Sequence, residues 1–176
     1  MRILVVGSGG REHAIVWSLR NSKRVEKVYC APGNAGIAEI AECVPLGEQQ
    51  FAELAEFALE QSIDLVVVGP EAPLFAGLVD YLQDKGLRVF GPRKEAAIIE
   101  GSKVFAKQLM KKYNIPTAAY ESFTNYEAAR DYLHQQSLPI VIKADGLAAG
   151  KGVTVATTLE EAERALHDIM VDKVFG

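Results

Sequence analysis

Up to Gly91 the apolar residues alternate between two patterns. Short unbroken runs predict strands over Arg2–Val6, Lys27–Ala31, Asp64–Val68 and Arg88–Phe90. Between them apolar residues recur at helical spacing. Arg11–Ser22 places Ala14, Ile15, Ser18 and Leu19 on one face, Gln49–Gln61 does so with Phe51, Leu54, Ala55, Ala58 and Leu59, and Leu74–Lys85 is a helix that Gly86 stops. Strands that are apolar throughout are buried on both faces, as in a parallel sheet covered by helices, and strand–helix alternation leads to the same architecture. The expected fold class is α/β, an open parallel sheet with helices on both faces. Gly7, Ala31, Gly69 and Gly91 each close a strand. The loops after them are expected to gather along one sheet edge, where open α/β sheets bind ligands.

After Gly91 the texture changes. Lys94–Glu100 and Ser102–Tyr113 read as helices separated by Gly101, and Pro116 interrupts helix. Glu121–Phe123 reads as a short strand and Asn125–Gln136 as a helix with Asn125 as its N-cap. Pro139–Lys143 and Val153–Ala156 are β-rich runs flanking a glycine loop, and Leu159–Met170 is a last helix with Thr158 and Glu161 at capping-box spacing. A boundary near residues 114–122 is expected. It divides an N-terminal α/β domain, residues 1–118, from a smaller α+β unit, residues 119–176.

Composition narrows the partners. The 176 residues are 49% hydrophobic and 24% charged, with a formal net charge of −4, which is ordinary for a globular protein and excludes a disordered one. No basic excess exists to neutralise phosphates, so no nucleic-acid partner is expected. The longest apolar runs, Ile3–Val6 and Leu65–Val68, fall far short of the roughly 20 residues that span a bilayer; neither a membrane partner nor a secretory signal is expected. Cys30 and Cys43 have no metal-ligand or redox spacing. They read as reduced, small buried residues of a cytoplasmic protein, with a disulfide as the alternative.

Three loops carry candidate chemistry. In Gly7-Ser8-Gly9-Gly10-Arg11-Glu12, Gly7 and Gly9 fit the dinucleotide fingerprint G-x-G-x-x-G, but Glu12 stands in place of the third glycine, and Tyr29-Cys30-Ala31 offers no acid for a ribose. A small phosphorylated metabolite is favoured over a dinucleotide. Backbone amides and a helix N-terminus attract an anion, and Arg11 adds a charged donor; a tight turn without a ligand is the alternative. Pro32-Gly33-Asn34-Ala35-Gly36 and Gly69-Pro70-Glu71-Ala72-Pro73-Leu74 follow strands on the same edge. Asn34 suits sugar hydroxyls and Glu71 accepts from hydroxyls or an amine, with turn chemistry alone as the alternative. The stretch Lys143-Ala144-Asp145-Gly146-Leu147-Ala148-Ala149-Gly150-Lys151-Gly152-Val153 departs from G-x-x-x-x-G-K-[ST] in spacing, in Gly152 at the Ser/Thr position, and in the strand that follows. It reads as a β-hairpin whose glycine loop closes over a polyphosphate, with Lys143 at the strand end and Lys151 as a second charge; a plain surface hairpin is the alternative. His13 reads as a packed or capping residue, His134 and His167 as solvated, and Trp17 as core. No metal-ligand cluster is expected within these residues.

Together these motifs resemble the phosphoribosylamine–glycine ligase (glycinamide ribonucleotide synthetase) family of purine biosynthesis. Gly9-Gly10-Arg11-Glu12-His13-Ala14, Ala31–Gly36, Gly69–Leu74, Glu100-Gly101-Ser102-Lys103 and Lys143–Val153 are similar to that family's N-terminal signatures, in order and over the whole chain. The resemblance implies an ATP-grasp ligase. An N-terminal substrate domain is followed by a small lid, by a larger ATP-grasp domain and by a C-terminal domain, of which this chain holds the first and most of the second. It implies ATP binding by Lys103, Lys143, Asp145, Gly146, Gly150, Lys151 and Gly152, and phosphoribosylamine binding by Gly9, Gly10, Arg11, Glu12, Asn34 and Glu71. Mg²⁺ is the implied cofactor beside ATP, with the Mg²⁺ ligands and the catalytic arginine region expected beyond Gly176. The family is typically monomeric and acts on the small molecules phosphoribosylamine, glycine and ATP. Two other functions stay open: another ATP-grasp carboxylate–amine ligase, from which the Gly-Arg-Glu-His and Pro-Glu-Ala-Pro loops would distinguish it, and a non-catalytic phosphosugar-binding module. The 176-residue chain alone is expected to turn nothing over.

Overall fold

A computed structural model of the chain describes residues 1–146 and 152–175. Two compact units divide between Ile98 and Ile99.

The first unit runs β1 (Arg2–Gly7), α1 (Gly10–Arg20), β2 (Lys27–Pro32), α2 (Ala35–Ala38), β3 (Glu42–Cys43), α3 (Phe51–Glu60), β4 (Leu65–Val68), α4 (Glu71–Ala76), α5 (Leu78–Asp84) and β5 (Val89–Phe90), and ends within α6 (Lys94–Gly101). The strands form one sheet in the order β3-β2-β1-β4-β5, every neighbouring pair parallel. The continuous apolar runs are explained by its two buried faces. Alternate residues Leu4 and Val6 pack with Leu54, Ala58, Leu78 and Leu82 of α3 and α5. Ile3 and Val5 pack on the opposite face with Val16 of α1 and Ile37 of α2. Full burial of each such side chain stabilises by about 1.5–3 kcal/mol, so the central strand is the anchor for the loops at its end.

Two details differ from the expected elements. The helix expected over Leu74–Lys85 is broken by Gly77, whose φ of 97° is left-handed. Trp17, expected in the core, is 63% exposed. On α1 the sheet takes up Glu12 and Val16, and one residue further round the helix Trp17 points away from it.

The second unit contains α7 (Lys103–Lys112), α8 (Tyr126–Leu133), β6 (Ile140–Lys143), β7 (Val153–Ala156) and α9 (Leu159–Met170). β6 and β7 pair antiparallel. Ile140, Ile142 and Ala156 on one face pack with Ala129 and Leu133 of α8 and with Ala162 and Leu166 of α9. Asn125 and Thr158 cap α8 and α9 as the sequence predicts, accepting from Ala128 N and Glu161 N. Glu121–Phe123 is not a strand; Phe123 packs by its ring on Tyr132. The boundary expected near residues 114–122 lies inside this unit. Lys107 Nζ bonds Thr117 Oγ1 and the Ala118 carbonyl across the Pro116 break, and Lys103 N donates to the Asp145 carboxylate, so α7 belongs to the same unit as the β6–β7 hairpin. Among the described residues no helix is long and apolar enough to cross a membrane.

Candidate functional site

In the first unit the chain leaves β1 in opposite directions, toward β2 and β3 on one side and β4 and β5 on the other. The carboxyl end of such a reversal is where open α/β sheets bind ligands. Three loops meet there. The β2–α2 loop is tied to the β1–α1 loop by Gly33 N to the Gly7 carbonyl (3.1 Å) and by Asn34 Nδ2 to the Ser8 carbonyl (2.8 Å). Asn34 Oδ1 at the same time accepts from Ile37 N (2.9 Å), capping α2. Asn34 thus holds two loops together, and one amide hydrogen and one lone pair remain for a ligand.

Arg11 spans the reversal. Its Nη1 donates to the Gly69 carbonyl (2.8 Å) and its Nη2 to Glu71 Oε1 (2.9 Å). The Glu71 carboxyl is held below its ordinary value by its own backbone amide, against a smaller opposing effect of burial, and further by Arg11. Gly9 and Gly10 are exposed at the start of α1, where first-turn amides have no helical carbonyl in reach. Arg11, Asn34 and Glu71, expected on one edge, are brought together there. Glu12, expected to bind the phosphosugar with them, is instead buried: it is 3% exposed, its Oε2 accepts from Gly9 N (2.7 Å), and its Oε1 stands 3.7 Å from Arg11 Nε. His13 packs against Gly36, where a Cβ would stand 2.8 Å from its Cε1.

In the second unit Asp145 gathers the start of α7. Its carboxylate accepts from Ser102 Oγ (3.1 Å), Lys103 N (2.7 Å) and Val104 N (3.3 Å), and Lys103 Nζ donates to the Gly146 carbonyl (2.9 Å). Residues more than 40 positions apart are joined, and Lys103 and Lys143, both expected at nucleotide phosphates, fall in this one unit. Lys143 closes β6 on the face opposite α8 and α9. The register pairs it with Val153 and pairs Val141 with Val155, and all four are exposed, Val155 to 63%. A β-branched strip ending in a cation fits a flat apolar group joined to phosphates. The signal was in the sequence, since β6 and β7 are apolar at both alternations, but only pairing tells which alternation the helices cover. Gly152 continues the ladder through its carbonyl, which accepts from Ala144 N (2.8 Å). Gly150 and Lys151 lie outside the described residues.

Among the described residues, His167, Asp168 and Asp172 at the end of α9 could approach one metal ion together. Mg²⁺ prefers an all-oxygen, near-octahedral set, so a site with an imidazole does not fit it.

The family model described as phosphoribosylglycinamide synthetase, N domain, matches residues 1–100. The chain belongs to the phosphoribosylglycinamide synthetase family. The model of that family's ATP-grasp (A) domain matches residues 101–176, so the family's own division falls close to the one between the two compact units. Phosphoribosylamine–glycine ligase of Halalkalibacterium halodurans is 57% identical over the whole of this chain and 41% of its own length. That of Pseudomonas putida is 53% identical, with the same coverage of 100% and 41%. The crystal structure of phosphoribosylamine–glycine ligase from Thermotoga maritima superposes with a TM-score of 0.79 at 36% identity, covering 99% of this chain and 41% of that one. The chain thus spans about two fifths of the length of the curated relatives it matches.

Proposed function

We propose that this chain supplies the phosphosugar site and part of the ATP site of a ligase that joins glycine to 5-phosphoribosylamine. The observation that carries the reading is the convergence of Arg11, Asn34 and Glu71 with the Gly9-Gly10 turn at the reversal of the sheet. A phosphomonoester meets the first-turn amides of α1 and the Arg11 guanidinium there. Asn34 and Glu71 stand beside it, with groups suited to hydroxyls and an amine.

The chemistry has a definite demand. An amine does not displace oxide from a carboxylate, because oxide is too poor a leaving group. A glycine carboxylate oxygen therefore attacks the γ-phosphorus of ATP, the bond to the β-phosphate oxygen breaks, and ADP leaves behind glycyl phosphate. The sugar's 1-amino nitrogen attacks the acyl carbon, the carbon–oxygen bond to phosphate breaks, and the nitrogen releases its proton. The protein's part is to hold the reactants and offset charge. Lys143 and Lys103 do the latter in our reading, Val141, Val153 and Val155 seat the base, and Asp145, Gly146, Gly150, Lys151 and Gly152 border the phosphates. No step is assigned to Mg²⁺ through residues of this chain. We further place the protein in the cytoplasm, as a monomer working on small molecules; the free, buried Cys30 thiol supports a reducing compartment.

The test uses the full-length protein that carries this chain. Phosphate release is expected only with ATP, glycine and phosphoribosylamine together. Arg11→Ala should weaken ribose 5-phosphate binding about tenfold, the loss of a charge-assisted contact, and leave ATP binding unchanged. Lys143→Ala should do the reverse. Release that ignores the amine, or ribose 5-phosphate binding indifferent to Arg11→Ala, would overturn the reading.

A further inference from the structure

Glu12 is a carboxylate with no surface. It is 3% exposed, Oε2 is taken by Gly9 N at 2.7 Å, and Oε1 is buried without a hydrogen-bond partner among the described residues. The one cation near it among the described residues, Arg11 Nε, stands 3.7 Å from Oε1. A buried carboxylate is expensive unless something compensates it. Here the Gly9 amide, the positive end of α1 and the Arg11 charge do so.

The glycines around it account for its place. A Cβ on Gly7 would stand 2.7 Å from Glu12 Cδ, and one on Gly9 would stand 2.9 Å from Oε2. A Cβ on Gly69, across the sheet reversal, would stand 2.7 Å from both Cγ and Cδ, and the three atoms nearest to it are all Glu12's own. Gly69 lies outside the positive-φ region, so its backbone accepts an L side chain, and the nearest obstacle to one is Glu12. Above the same gap Arg11 grips the Gly69 carbonyl. Adjacent residues of α1 thus both reach Gly69 at the start of the β4–α4 loop.

We propose that Glu12 is a positioning residue: its buried side chain is the spacer that sets the separation of the β1–α1 and β4–α4 loops, and Gly69 lacks a side chain to make room for it. It acts on the phosphosugar through Arg11 and Glu71 without touching it. This rests on the proposed phosphosugar site for its binding consequence, but not for the spacer itself.

The experiment compares Glu12→Ala, Gly69→Ala and the double variant in the full-length protein, reading the dissociation constants of ribose 5-phosphate and ATP and the melting temperature. Each single variant is expected to weaken ribose 5-phosphate about tenfold and leave ATP unchanged. The double variant should bind no worse than Glu12→Ala, and its melting temperature should not fall further, because the clash has lost its partner. Glu12→Gln, which keeps the shape and the acceptor for Gly9 N, should stay within about threefold of the parent and serves if Glu12→Ala does not fold. Losses that add in the double variant to about a hundredfold, or a Gly69→Ala protein that melts and binds like the parent, would overturn the proposal. If the parent itself ignores ribose 5-phosphate, the phosphosugar reading fails, and the non-additive melting temperatures still decide whether Glu12 is the spacer.

Discussion

At Asp145, burial opposes the charged form. The amides of Val104 and Lys103, the Ser102 hydroxyl and the Gly146 amide outweigh it, so the carboxyl titrates below the ordinary aspartate value. A depressed folded pKa stabilises the folded state in full above the unfolded value, near about 3.9, and that stability is lost as pH falls from there through the folded value. Hydrogen exchange should report it: protection of the Lys103 and Val104 amides is expected to drop below about pH 4, and in Asp145→Asn the acid step should vanish. An unchanged acid step in that variant would assign it to another group. The sequence pointed to Asp145 and to Arg11 as residues with chemistry, and not to what they hold. Ser102 and Asp145 are 43 positions apart, and Arg11 and Glu71 are 60 apart. Local pattern carries no record of such pairings. Glu12 is the sharper case: charge implies a surface residue, and only the surrounding glycines reveal that room was made for it inside.

Elements with local causes were legible. The Asn125 and Thr158 caps and the full span of α9 follow from side chains reaching backbone within a single turn. Elements decided by the rest of the fold were not. β3 is two residues long and exists because β2 offers Tyr29 and Cys30 as partners; nothing at Glu42 marks it. Glu121–Phe123 has strand-like composition but no neighbour to pair with among the described residues. Gly77 is subtler. Leu74, Leu78 and Leu82 keep the helical rhythm across it, so periodicity reads one helix, yet Gly77 turns left-handed and its amide reaches the carbonyls of Leu74 and Pro73. A Cβ there would meet nothing closer than Lys94 Cδ at 3.5 Å. The cost of Gly77→Ala is therefore backbone strain alone, about 1–2 kcal/mol, measurable as a lower urea midpoint with an unchanged slope. A variant as stable as the parent would mean that the break is not held by this residue.

On the scale of the molecule, each unit closes its own core, and among the described residues the apolar clusters on the two faces of the five-stranded sheet are built from first-unit side chains. A chain of residues 1–101, ending with α6, is expected to unfold in one cooperative step and to retain ribose 5-phosphate binding without binding ATP. Non-cooperative melting would show that the first core depends on the second unit. The parallel sheet and its covered faces were readable because β1, β2 and β4 are apolar at both alternations; the strand order was not, and it is the order that puts Arg11 opposite Glu71. The flanks of that sheet have a consequence of their own. Both outermost strands, β3 and β5, are only two residues long, so a neighbouring molecule finds almost no run of open amides and carbonyls to zip onto. A sheet that tapers so abruptly discourages fibril-like stacking by geometry, and concentrated solutions of this unit should stay free of thioflavin-positive aggregates while the fold is intact.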